Sequence, residues 1–162
     1  MPPLIDLSVR QATDRDYDAV ARLNAEVQEL HVDALPRFFK PVGRGTFPRA
    51  RFEDLLTRER CHVLVAETSE PVGYLLAELV EAPDTATRYA QRVLRIHELS
   101  VAANNRRCGC GQALLKHATS LAKSNDVTRV DLDTWWFNEN ARAFFKSAGF
   151  RELSVRFASD CA

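Results

Sequence analysis

The chain predicts a single α/β domain in which one mixed central sheet carries helices on both faces. Three observations lead there. Segments of strand and helix periodicity follow one another in the order β-α-α-β-β-β-α-β-α-β, which suits a sheet covered on either side. The stretch from Val93 to Leu115 reads as a buried strand ending near Val101, a polar loop, and a helix opening at Gly109 and Gly111. A length of 162 residues without repeats, linkers or low-complexity segments fits one domain with a substantial core.

Taken in order, Asp6 to Gln11 reads as the first strand. Thr13, with Asp16 three residues on, has the pattern of a weak capping box. Tyr17, Val20, Leu23, Val27 and Leu30 then mark an amphipathic helix to about His31. Three prolines and two glycines between Asp33 and Pro48 predict loop, with Phe38, Phe39 and Phe47 inside it. Arg49 to Arg60 is a second helix with Phe52, Leu55 and Leu56 as its apolar face. Cys61 to Thr68 and Val72 to Glu81 read as the two strands of a hairpin, joined at Ser69-Glu70-Pro71. Asp84 to Tyr89 is a polar loop into the strand before the glycines. The helix after them carries Leu114, Leu115, Ala118, Leu121 and Ala122 at helical spacing. Arg129 to Trp136 alternates as a strand does, and Asn138 opens a last helix whose apolar positions are Ala141, Phe144, Phe145 and Ala148. Gly149 is placed as its C′ residue, and Phe150 to Phe157 reads as a final strand.

Lysine plus arginine and aspartate plus glutamate number 22 each, so neither nucleic acid nor a membrane surface is an expected partner. No apolar run reaches the length of a membrane span, and MPPLIDLSVR lacks the regions of a secretory signal; a cytoplasmic setting is expected. Cys61, Cys108, Cys110 and Cys161 form no C-x-x-C pair and no histidine follows at zinc-finger spacing. They read as free thiols, and no metal is expected.

The chemistry concentrates in Arg106-Arg107-Cys108-Gly109-Cys110-Gly111. A helix start leaves N–H groups unpaired and carries partial positive charge, so this stretch suits a phosphorylated ligand. The third glycine of a dinucleotide fingerprint would fall at Leu114, and no Walker run of Gly-Lys-Ser/Thr exists, although a nucleotide site of another class stays open. What remains, Arg-x-x-Gly-x-Gly after the Leu99-Ser100-Val101 strand end, resembles the pyrophosphate loop of the GCN5-related N-acetyltransferases, the GNAT family. Asn138 to Phe150 resembles that family's second signature, N-x-x-A-x-x-[FL]-Y-x-x-x-G-F, with Phe145 where the tyrosine stands. The two signatures lie in the family's order, and with the element order the resemblance covers nearly the whole chain.

The resemblance implies the acyl-CoA N-acyltransferase fold as one domain over 1–162, with coenzyme A motifs at 93–125 and 129–150. It implies acetyl-CoA as cosubstrate and direct acetyl transfer to a primary amine of a small molecule or a protein; a homodimer is compatible with it. Backbone amides from Arg106 through Arg107, Cys108, Gly109, Cys110 and Gly111 to Gln112 would hold the pyrophosphate. Backbone groups of Leu99 and Val101 would pair with the pantetheine arm, and Asn138 would bond its amide while also reading as an ordinary helix N-cap. Phe145 would pack at the sulfur without the hydroxyl that protonates a leaving thiolate, a task left to water, Tyr89 or Tyr74. That loss keeps a second reading in play, a non-catalytic or weakly active coenzyme A-binding regulatory domain.

A lysine-type amine has a pKa near ~10.4, so its proton must be removed before attack. The strand before the loop offers His97 and Glu98, of which Glu98 is preferred, with Glu78 a third candidate. Adjacent strand residues face opposite sides unless a bulge intervenes, so one of the pair is expected to reach the thioester. Plain structural roles stand beside these: a buried histidine bonded to backbone, or Glu98 paired with Arg95 or another cation. Acceptor specificity is expected from His31 to Phe52 and from Asp84 to Tyr89, with Phe38, Phe39, Trp135 and Trp136 lining a pocket or completing the core.

Overall fold

Alternation along five strands decides which side chains meet which helices. In the computed structural model, which describes residues 6–161, the strands are β1 (Ser8–Gln11), β2 (Cys61–Glu67), β3 (Pro71–Ala82), β4 (Gln91–Val101) and β5 (Val130–Leu132). They lie in sequence order in one sheet. β1 to β4 run antiparallel to their neighbours, whereas β5 runs parallel to β4. The helices are α1 (Tyr17–Ala34), α2 (Arg49–Thr57), α3 (Cys110–Ser124) and α4 (Glu139–Ser147).

On one face Leu64, Ala66, Leu75, Ala77, Leu94 and Ile96 form a core with Leu114, Leu115, Ala118 and Ala122 of α3, against which Phe144 and Phe145 of α4 also pack. On the other, Val63, Val65, Tyr74 and Leu76 meet Val20 and Leu23 of α1, Phe52 and Leu55 of α2, and Phe47 from the loop between them. Period-two strands feed both cores because every second side chain changes face. A mixed sheet with helices on both faces is therefore what the chain builds.

Two expectations are corrected. The strand foreseen over Arg129 to Trp136 is confined to Val130–Leu132, because the chain turns at Trp135, whose carbonyl accepts from the Asn138 N–H at 3.0 Å. The final strand foreseen from Phe150 to Phe157 pairs with nothing among the described residues, and everything from Arg151 to Cys161 is exposed. Its alternation is real, but a strand exists only where a second strand supplies the ladder.

The sheet also opens toward one end. β4 pairs with β5 only through Leu94, Arg95 and Ile96. Past that point Glu98 to Val101 pair with β3 alone. The division falls at an irregularity: Leu76 faces Glu98 while Ala77 faces Ile96, which leaves His97 as the extra residue of a β-bulge. Bulges bend the strand that carries them and re-aim its side chains.

Candidate functional site

The bulge places His97 and Glu98 on the same side of the sheet, where regular alternation would have put them on opposite sides. His97 Nε2 lies 2.8 Å from Glu78 Oε2. Glu98 accepts from the Tyr74 hydroxyl at 2.7 Å and from Asn24 Nδ2 at 3.2 Å through one oxygen. Arg51 donates to its other oxygen at 2.8 Å. Asn24 comes from α1, Arg51 from α2 and Tyr74 from β3, so three elements converge on one carboxylate. A bulge does intervene here, which corrects the expectation that His97 and Glu98 would face opposite sides of the sheet.

Tyr74 is 1% exposed, and burial pushes its hydroxyl well above the usual phenol range, with the Glu98 charge adding to it. It keeps its proton and spends it on Glu98, while its oxygen also accepts from Asn24 at 3.0 Å. It is therefore engaged within the network and not free to serve a leaving group. Tyr89, the other hydroxyl considered, is 86% exposed in the loop before β4.

The glycine loop follows directly from the freed end of β4. Arg106 Nε donates to the Val101 carbonyl at 3.2 Å, so one of the two backbone positions expected to hold a ligand is already met by a side chain. Leu99 stands opposite Leu75 in the β3 ladder. Arg107 and Gly109 both have left-handed backbone, φ +63 and +84. Gly109 is the N-cap of α3, and a Cβ there would meet nothing within 4 Å, so the space above it is open. Gly111 is different: a Cβ would lie 2.9 Å from Phe144 Cζ. The absent side chain at Gly111 makes room for the Phe144 ring of α4. Arg106, Arg107, Cys108 and Gln112 are exposed around the loop, and Cys110 is buried, which raises its thiol pKa.

Asn138 caps α4, its Oδ1 accepting from the Ala141 N–H at 3.1 Å, so the plain N-cap reading holds. Phe145 is half-buried between Phe144 and Phe150, with ring centroids 5.3 and 5.7 Å away. The aromatics Phe38, Phe39, Trp135 and Phe137 gather with His31, which stacks on Phe39 at 4.8 Å. Phe38 is 69% exposed, so this cluster is a surface feature and does not complete the core. Burial lowers the His31 pKa.

Reasoning from sequence had not singled out Asn24 or Arg51. Asn24 left a signal, a polar residue within the Val20-Leu23-Val27 stripe of α1. Arg51 left none, because it reads as one more cation on a solvated helix.

The Acetyltransferase (GNAT) family matches residues 25–150. The tetramutant of BH1408 protein from Bacillus halodurans is similar at 29% identity and TM-score 0.90, over 95% of this chain and 99% of that one. An acetyltransferase from Trypanosoma brucei superposes with TM-score 0.67 at 21% identity, covering 96% of this chain and 100% of its own. An aminoglycoside acetyltransferase, meta-AAC0020, from an uncultured soil metagenomic sample gives TM-score 0.68 at 20% identity over 98% and 99%. A search of curated proteins found no match.

Proposed function

Because the chain belongs to the GNAT acetyltransferase family, we propose that it moves the acetyl group of acetyl-CoA to a primary amine of a small molecule or a protein. The observation that carries this reading is the opening beyond Ile96, where the freed stretch of β4 leads straight into an exposed glycine loop at the start of α3. Strand backbone without a ladder partner on one side has N–H and C=O groups to offer an extended amide-bearing arm. The open space at Gly109, the helix start and the Arg106 and Arg107 charges suit a pyrophosphate. Acetyl-CoA, when bound, supplies the activated acyl group. Every other task falls to the protein.

Glu98 takes the amine proton. Arg51, Tyr74 and Asn24 hold its carboxylate in one orientation, and preorganised geometry of that kind is what proton transfer needs. His97, paired with Glu78 on the same face, is the alternate. Glu98→Gln should lower turnover by roughly two to four orders of magnitude while coenzyme affinity stays within about twofold. A crippled His97→Gln beside a normal Glu98→Gln would pass the role to histidine, and two normal variants would remove it from both. Phe145 favours one competing reading, a coenzyme A-binding regulatory domain without catalysis. Tight acetyl-CoA binding with no turnover across a broad panel of amines would establish that reading in place of ours.

A further inference from the structure

The end of β4 is covered by a side chain of the loop that follows it. The Ala102 N–H donates to the Val72 carbonyl at 2.8 Å, and Val101 stands opposite Gly73. In an antiparallel ladder that bond makes Val101 and Gly73 a pair whose own N–H and C=O groups point away from each other. The Val101 carbonyl therefore faces the open side, past the last β5 pairing at Ile96. Arg106 folds back onto it, its Nε donating at 3.2 Å. The same guanidinium is met from α1. Glu26 Oε2 lies 3.9 Å from Arg106 Nη2 and accepts from the Ala103 N–H at 3.2 Å. Rigid elements set this meeting: the buried Ser100 hydroxyl of β4 donates to the Leu23 carbonyl of α1 at 3.0 Å. Three residues further along each segment, Glu26 reaches Ala103.

We infer that Arg106, steadied by Glu26, covers the Val101 carbonyl in the free protein and uncovers it when a pyrophosphate draws the guanidinium away. The inference rests on the coenzyme reading above and deepens it: the pair makes the site select an arm that carries a pyrophosphate over the same arm alone. The Arg106 and Glu26 side chains are 52% and 30% exposed, and their contact is long, so it contributes little and yields to a phosphate that accepts shorter, two-pronged bonds. A neutral amide exerts no such pull. To reach the Val101 carbonyl it must displace a charged donor with an uncharged one, a weaker bond for a stronger. The arm alone therefore competes with Arg106, whereas for the whole coenzyme Arg106 leaves Val101 for the phosphates and the competition ends. Glu26 acts through Arg106, as a positioning residue.

Titration calorimetry on the full chain tests this with two probes, coenzyme A and S-acetylpantetheine, which has the arm without phosphate or charge. Arg106→Ala should bind S-acetylpantetheine about three- to tenfold more tightly than wild type, as expected for one released hydrogen bond. The same variant should bind coenzyme A about tenfold more weakly, because a charge-assisted phosphate contact outweighs that gain. Opposite shifts of the two probes in one variant also exclude misfolding as their cause. Glu26→Gln keeps an acceptor for Ala103 and removes only the charge that holds Arg106. It should tighten S-acetylpantetheine about twofold, and the neutral probe makes that change local, since long-range charge does not act on it. Should Arg106→Ala fail to fold, Glu26→Gln decides alone, and unchanged affinity for the neutral probe overturns the inference. So does a folded Arg106→Ala that leaves S-acetylpantetheine binding unchanged or undetectable, or that weakens both probes. These outcomes leave the coenzyme reading standing, whereas a wild-type protein that binds no coenzyme A removes both.

Discussion

A carboxylate has about four directions from which it accepts hydrogen bonds, and Glu98 fills three of them with Arg51, Tyr74 and Asn24. On the proposed function, an incoming amine would meet Glu98 along the direction left over, or displace Arg51, whose side chain is 46% exposed. Phe145 poses the opposite problem, a position with packing and no polar atom. Tyr74 and Tyr89 do not fill that gap, one being committed and the other out in solvent, so on the proposed function neither would protonate a leaving thiolate. Phe145→Tyr should add one at little structural cost, since the ring is only half-buried. Coenzyme affinity should stay unchanged and turnover rise severalfold in steady-state assays, below the roughly hundredfold of a well-placed general acid. Lost binding would mean that the pocket has no room for the oxygen. The two residues also differ in how they could be read beforehand. Phe145 stands out against a signature, and Glu98 stands out because of where it precedes the glycine loop. Arg51 and Asn24 lie 47 and 74 residues from Glu98, and nothing local announces contacts made across that distance.

Helices were easier to read than strands because a helix satisfies its own backbone and needs only a stripe of apolar residues. Hence α1, α3 and α4 fall close to their expected bounds, and Gly149, at φ +89, ends α4 as foreseen. Strand periodicity reports a face and not a partner, which is why Phe150 to Phe157 had the pattern without the pairing. The contact between α3 and α4 also lay beyond sequence, since Gly111 reads equally as ligand cradle or packing site. Two opposing effects make it testable. Alanine at Gly111 gains up to about 1 kcal/mol of helix propensity, while overpacking a fixed neighbour typically costs about 1–3 kcal/mol. With a Cβ at 2.9 Å from the Phe144 ring, the cost should win, and Gly111→Ala should lose about 1 kcal/mol in urea unfolding. In a Phe144→Leu background the ring is gone, and the same substitution should become neutral or stabilising. Additive effects in the two backgrounds would mean that the ring simply swings aside.

At the scale of the whole molecule, one sheet packed on both faces ends its β4–β5 pairing at Ile96, and the loop that follows β4 is kept in a costly shape. Arg107 has φ +63, a left-handed conformation that costs a non-glycine residue roughly 1 kcal/mol. Arg107 is exposed, and a cost of this kind persists where the surrounding structure imposes it, often at ligand sites. If its charge serves the coenzyme, free stability and bound stability must respond to its loss with different signs. Arg107→Gly relieves the backbone while adding freedom to the unfolded chain, so the unliganded protein should melt within a few degrees of wild type, at or above it. Ligand binding adds RT ln(1 + [L]/Kd), about 2.7 kcal/mol at a hundredfold excess over Kd. The variant, missing a cation at the pyrophosphate, should lose about tenfold in affinity, which removes about 1.4 kcal/mol of that gain. Thermal melts with and without acetyl-CoA measure both quantities on one sample. An equal coenzyme-induced shift in the two proteins would take Arg107 out of the binding site, and a variant that melts far below wild type without ligand would show that its side chain holds the loop together.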